Sequence, residues 1–173
     1  MKFIKTRDVI SPQRANRTDA GIDFFVPSNI HISTMLDLNP GTSLYDYNVN
    51  AAGIVCGIKL KSNKRVLIPS GIHVKLPKNT ALIAFNKSGI AHKSGLIVGS
   101  CVVDEGYEGE VHISLINTSS EICLIKANAK IVQFILTNVK YNKPEESDKS
   151  IEEFYEDSKS TRGGGGFGST ESK

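Results

Sequence analysis

Between Phe24 and about Val139, apolar and polar residues alternate with a period of two in short runs. Ile72, Val74 and Leu76 are interleaved with His73 and Lys75, and Val111, Ile113 and Leu115 with His112 and Ser114. This is the pattern of a strand with one face on a core. Residues 54–60, 66–68, 81–85 and 131–136 are more continuously apolar and predict strands buried on both faces. Turn residues punctuate the runs at Pro40-Gly41, Ser62-Asn63, 69–71, 77–79 and Glu105-Gly106. Many short strands at this spacing predict an all-β sandwich or barrel. Helix is scarce. The one candidate is Ser88 to Ser94, which begins at a hydroxyl and is closed by Gly95 as a C-cap. Asp104 to Gly109, between two apolar runs, reads as a hairpin.

After Tyr141 the pattern stops. Pro144, Glu145, Glu146, Ser147, Asp148 and Lys149 cannot build a core. The expected organisation is therefore a β-domain over 1–140, a tether over 141–160 and a glycine-rich arm over 161–173. In the tether, Ile151, Phe154 and Tyr155 are spaced to dock on a neighbouring surface. With 173 residues the chain makes one domain that needs neither disulfides nor metal to fold. Lysine and arginine total 21 against 18 acidic residues, a net charge of +3 that is too small and dispersed for a nucleic-acid partner. Cys56, Cys101 and Cys123 lack metal-ligand spacing and read as buried free thiols in a reducing cytoplasm. The start has no long apolar run of a signal peptide, and no stretch approaches the ~18 apolar residues of a membrane span, so no membrane partner is expected.

Five segments carry polar groups that a plain β-domain does not need. Ala20-Gly21-Ile22-Asp23 puts a carboxylate at the head of an apolar run, where a turn acid is the simpler alternative. Asn86-Lys87-Ser88-Gly89 supplies an amine, a hydroxyl and a flexible backbone at a helix start, the surroundings of an anion or an ordinary cap. Asp104 follows Val102 and Val103, which would reduce its solvation, and Tyr107 stands three residues on. Gln133 lies within an apolar run, where a buried amide needs a partner and a neighbouring strand would suffice. Last, Arg162 opens four glycines followed by Phe167, Gly168, Ser169 and Thr170. Such a segment is loose until a ligand orders it. Its arginine and hydroxyls suit phosphate and its lone ring suits a base, against the alternative of a plain flexible tail.

In identity and order these segments resemble the trimeric deoxyuridine triphosphatases: Ala-Gly-x-Asp, Ser-Gly, Val-Asp-x-x-Tyr-x-Gly, Ile-x-Gln and Arg-Gly-x-Gly-Gly-Phe-Gly-Ser-Thr, from about Thr18 to Thr170. The resemblance implies a distorted jelly-roll β-barrel with one short helix and a flexible C-terminal arm, assembled as a homotrimer. Each site then draws on three chains and hydrolyses dUTP to dUMP and pyrophosphate with Mg²⁺. It implies that Asp104 activates the attacking water, that Asp23 holds Mg²⁺ through waters, and that Tyr107 lies beneath the deoxyribose. The backbone of Gly99 to Val103 would read the uracil edge, and Lys87, Ser88, Gly89 and Gln133 would contact the phosphate chain. Arg162 would meet the γ-phosphate, Phe167 the uracil face, and Ser169 with Thr170 the terminal phosphates, with Gly168 also among the substrate-binding residues.

Several positions depart from that family's pattern. Lys87 stands where arginine is usual, keeping charge but not the bidentate fork. Asn128 and Ala129 replace a Gly-Asp pair, and Cys101 takes a glycine's place beside the uracil pocket. Asp23 to Ser88 is longer than in compact members by about 20 residues, an insertion-sized excess placed at about 33–52. This segment reads as an exposed loop and a possible surface for a protein partner. Two rival functions follow, a nucleotide-sensing regulator acting through the 33–52 loop and a dCTP deaminase, alone or bifunctional. The deaminases carry a catalytic glutamate seven residues past the aromatic, which here falls on Ser114.

Overall fold

The structure is a computed structural model and describes residues 1–158, 160 and 163–165. These divide into two units, 1–140 and 141–173. The first holds β1 (Lys2–Lys5), β2 (Ile22–Phe25), α1 (Ile32–Leu38), β3 (Tyr47–Val49), β4 (Val55–Leu60), β5 (Arg65–Pro69), β6 (Ile72–Lys75), β7 (Thr80–Asn86), α2 (Ser88–Ser94), β8 (Leu96–Val98), β9 (Val102–Val103), β10 (His112–Asn117), β11 (Cys123–Lys126) and β12 (Lys130–Asn138). All pairings are antiparallel. They form four small sheets, ordered β1-β6, β5-β10-β8, β11-β4-β3 and β2-β12-β7-β9. This is the all-β, incompletely closed jelly roll the sequence predicts.

Alternation sets which face goes inward. Val111, Ile113 and Leu115 are buried along the start of β10 while His112 and Ser114 are half-buried between them. Phe24 of β2 packs on Phe134 of β12 with ring centroids 4.5 Å apart, a contact worth about 1 kcal/mol beyond the area it covers. The left-handed residues Gly41, Asn63, Gly71 and Asn79 fall within predicted turns. The second unit holds α3 (Ile151–Phe154), whose Ser150 and Glu153 form a capping box. Ile151, Phe154 and Tyr155 are exposed there.

Four expectations change. Helix is not confined to Ser88–Ser94, because α1, α3 and a 3₁₀ turn at Leu44–Asp46 also form. The 33–52 segment, largely exposed as expected, is more than a loop. It supplies α1 and β3, buries Met35, Asn39 and Tyr47, and ties Asn39 to Leu67 of β5 in both directions at 2.9 and 2.7 Å. The thiols are free but not buried: Cys56 and Cys101 are exposed and Cys123 is half-buried. Finally, 104–109 is not a hairpin. Val102–Val103 pairs with β7, whereas β10 pairs with β5 and β8, so the segment crosses between sheets. Two valines offer too short a ladder to hold a six-residue strand that finds five partners on β5.

Candidate active site

Asp23 lies in the middle of β2, 4% exposed, with its backbone bridged to Gln13. A carboxylate taken out of water needs charged partners. Two lysines provide them: Lys87 Nζ meets Oδ1 at 2.5 Å and Lys130 Nζ meets Oδ2 at 3.1 Å. Lys87 is the N-cap residue just before α2, with extended backbone (φ −82°, ψ 119°) and no side-chain cap. The helix therefore does not begin at a capping hydroxyl, and Ser88 is its first residue. Gly95 closes it with φ 63°, as predicted.

Gln133 of β12 pairs with Asp23 across the sheet and donates from Nε2 to the Asn86 carbonyl at 2.8 Å. The neighbouring-strand partner is thus the one it finds within the protomer. A methyl group on Gly21 would collide with the Gln133 amide, so glycine at that position is what lets the side chain lie across the sheet. Lys87, Ser88, Gly89, Ile90, Lys93, Lys130 and Gln133 line one open cavity of about 380 Å³. Three ammonium groups on one cavity are suited to a polyanion.

Along the β9 edge of the same sheet, Val103, Asp104 and Tyr107 line a second cavity of about 240 Å³, together with Leu67, Val111 and Phe134. It is small beside the ~300–1,000 Å³ of drug-sized ligand sites and suits a flat ring. The Tyr107 amide donates to the Asp104 carbonyl at 3.1 Å, and its hydroxyl donates to the Glu110 carbonyl at 3.0 Å. Gly109 leaves room for the ring, since a Cβ there would run into it. Glu110 anchors the crossing by accepting from Arg7 Nε at 2.8 Å and from the Gly71 amide at 2.6 Å. Burial alone would push its carboxyl up, but the Arg7 guanidinium and the Gly71 amide outweigh that and hold it below the usual glutamate value.

Asp104 itself is exposed, as is Val102 at 61%. The flanking valines do not desolvate it within one protomer, because β9 is a two-residue edge strand. Cys101 lines the same cavity, and Gly99 lies in a neighbouring cleft with Ser100 and Ser114. Arg162, Phe167, Gly168, Ser169 and Thr170 lie outside the described residues. Asn128, in the usual glycine's place, adopts φ 62°, a conformation asparagine tolerates.

Lys130 is the residue that sequence reasoning missed. On a regular strand, positions 130 and 133 face opposite sides. A bulge between Lys130 and Val132 inserts one residue against β2 and turns both onto the same cavity.

The fold and these two cavities define a β-domain with three ammonium groups on one open cavity and a carboxylate beside a ring-sized slot. Residues 55–171 match the dUTPase family profile. Deoxyuridine 5′-triphosphate nucleotidohydrolase of Clostridium tetani is 34% identical over 173 residues, covering 98% of this chain and 94% of that protein. The enzyme of the same name from Clostridium novyi is 41% identical over 115 residues, 65% of this chain and 76% of that protein. Among solved structures, the Staphylococcus bacteriophage 80alpha dUTPase G164S mutant with dUpNHpp superposes with TM-score 0.68 at 17% identity, covering 98% of this chain and 96% of that one. EIAV dUTPase superposes with TM-score 0.59 at 20% identity over 85% and 95% of the two chains. The chain belongs to the dUTPase family.

Proposed function

We propose that this dUTPase, which hydrolyses dUTP to dUMP and pyrophosphate, builds each site from the Asp23–Lys87–Lys130 end of one protomer and the Asp104–Tyr107 end of another, in a homotrimer. The observation that carries this reading is their separation. Val103 sits opposite Leu82, so Asp104 leads toward Ala81, while Lys87 and Ser88 follow Asn86. Five residues of strand set the two ends about 17 Å apart. A nucleotide reaching both in one protomer would have to run the length of β7.

In the composite site the base enters the slot at Val103, with Tyr107 against the sugar, and Lys87, Ser88, Gly89, Lys130 and Gln133 take the phosphates. Asp104 accepts a proton from the water that attacks the α-phosphorus, a step that needs position and electrostatics more than covalent chemistry. The neighbouring chain covers the exposed Asp104 and supplies the desolvation its own valines do not. Arg162, Phe167, Gly168, Ser169 and Thr170 complete the pocket over phosphate and base. Gly99 shapes the approach to the slot.

The family's Mg²⁺ fits this chain in one manner. No group of three His, Cys, Asp or Glu side chains gathers among the described residues, and the one buried carboxylate is held by ammonium groups. A resident, protein-ligated ion does not suit that donor set. An ion carried on the triphosphate that keeps its waters does, with Asp23 as their acceptor. Bound there, it supplies charge neutralisation to the phosphates. The free thiols accord with a cytoplasmic setting, and no helix among the described residues is long and apolar enough to cross a membrane. A protein partner at the insert would have to use Leu44, Tyr45 and Val49, its exposed large apolar side chains.

Two variants, assayed at a dUTP concentration where neither alone turns over appreciably, test the composite site. Gln133→Ala breaks the phosphate end and Asp104→Asn the other. Unfolded together at equal ratio and refolded, they should regain activity at about a quarter of the sites if parts are shared between chains. No recovery in trimers verified to be mixed would show that each protomer uses its own parts. Pyrophosphate release from dUTP, dTTP, UTP and dCTP, read with a coupled pyrophosphatase, checks selectivity, and dUTP should be strongly preferred.

A further inference from the structure

Asp23 faces two demands, because it holds two lysines within the chain and the proposed site asks it to accept from the waters of Mg²⁺. Both its oxygens are taken by lysines, and its side chain is only 5% exposed. With so little of the carboxylate facing solvent, a hydrated divalent cation reaches it only if an ammonium group moves aside, and an ammonium paired to a buried carboxylate offers phosphate only part of its charge. Lys87 and Lys130 nevertheless line the cavity where the phosphates are placed. The Lys130 side chain is 41% exposed on a long flexible stem, so it can turn from one partner to another.

The geometry points to a charge exchange, resting on the phosphate site proposed above. Asp23 holds Lys87 and Lys130 in the free enzyme and gives both up to the triphosphate when Mg²⁺, carried on the phosphates, takes the carboxylate through its waters. Lys130 is thereby a further phosphate-binding residue. Charges balance at each stage. The carboxylate trades two monovalent cations for one divalent one, and the lysines trade a carboxylate for a polyanion, so no buried charge is left unpaired. Metal and triphosphate therefore favour each other's binding. Without metal, the triphosphate has to compete with Asp23 for the lysines, a coupling of the ordinary 5- to 150-fold size.

The test is calorimetric titration of dUpNHpp into the full-length protein at fixed ionic strength, once with EDTA and once with Mg²⁺. In wild type, Mg²⁺ should tighten binding at least about fivefold. In Asp23→Asn the lysines are released, so metal-free binding should tighten about fivefold or more, and most of the Mg²⁺ effect should vanish. Lys130→Gln replaces a side chain that is 41% exposed and tests the other half of the exchange. It should weaken binding about 5- to 10-fold with the metal present, when the lysine is on the phosphates. Asp23→Asn with unchanged or weaker metal-free binding would overturn the exchange, leaving Asp23 a partner of the metal alone. Unchanged binding by Lys130→Gln would remove Lys130 from the phosphates. Wild-type protein that binds the analogue under neither condition would overturn the site itself, and the exchange with it.

Discussion

At the Asn86 end of β7, Asp23 is 4% exposed, held by two lysines, and Gln133 stands on a strand paired on both sides. At the Ala81 end, Asp104 is exposed, on a crossing that leaves a two-residue edge strand. The first end is electrostatically complete within one chain. The second is a carboxylate beside a slot, fixed from behind by Arg7 and Glu110 and open in front. A buried cluster must satisfy its charges before any ligand arrives. An exposed carboxylate stays hydrated until something covers it. In the proposed composite site the division gives the phosphates the end whose charges are already paired, and the attacking water the end that a neighbour has to cover.

The sharpest way to break the comparison is Asp104→Asn. The substitution keeps shape and removes the proton acceptor, so kcat should fall by about 10²–10⁴ while affinity for dUpNHpp stays within a fewfold. A large loss of affinity with little change in kcat would make Asp104 a binding residue and erase the contrast. Next in size is Gly21→Ala, aimed at the other end. The added methyl meets the Gln133 amide, and relieving that contact should cost about 1–3 kcal/mol of stability. Because the displaced Gln133 lines the cavity proposed for the phosphates, KM should rise more than kcat falls. Thermal melts and steady-state kinetics together read both effects.

What the sequence revealed and concealed follows the same division. Alternation located the strands because one face meets a core, and the left-handed Asn63 and Asn79 lay in turns already marked by their residue types. Local patterning did not reveal which strands pair. The 104–109 segment has every local mark of a hairpin, yet β9 and β10 join different sheets because longer ladders outcompete the short one. Nor did it reveal Lys130, whose facing is set by a bulge. In the insert, Ile32, Met35 and Leu36 keep a helical spacing. Turn-forming neighbours masked it, and burial of Met35 against the core is what holds α1 in place. Asp23, Ser88, Asp104, Tyr107 and Gln133 stood out singly as polar groups that a plain β-domain does not need, and only the resemblance in their order and identity joined them as a set. Which of them meet within one chain was decided by the sheet.

A smaller effect separates the anchoring of the open end from its chemistry. In Glu110→Gln, Arg7 loses its charged partner and the Gly71 amide keeps only a neutral acceptor, at a cost near neutral pH of about 1–2 kcal/mol. The folded-state carboxyl lies below its ordinary value of 4.5. Its contribution to stability is therefore full above that value and is lost as pH falls through the lowered one. Urea midpoints of wild type and Glu110→Gln should differ at pH 7 and converge in acid. A gap that persists at low pH would mean that the carboxylate's charge is not what anchors the crossing.

The smallest expected effect is Asn128→Gly, which restores the residue usual in the family to the turn that launches β12. Asn128 has φ 62°, where glycine is at ease and asparagine is tolerated. Its amide donates to the Val26 carbonyl at 2.9 Å, and glycine keeps that bond. Relief of left-handed strain and the greater freedom of glycine in the unfolded chain oppose each other, so the net change should stay within about 0.5 kcal/mol. With the bulge after Lys130 unaltered, KM for dUTP should not move. A rise in KM without a change in melting temperature would show that the Asn128 side chain helps to aim Lys130, and that the phosphate end is less self-sufficient than its buried ion pairs make it.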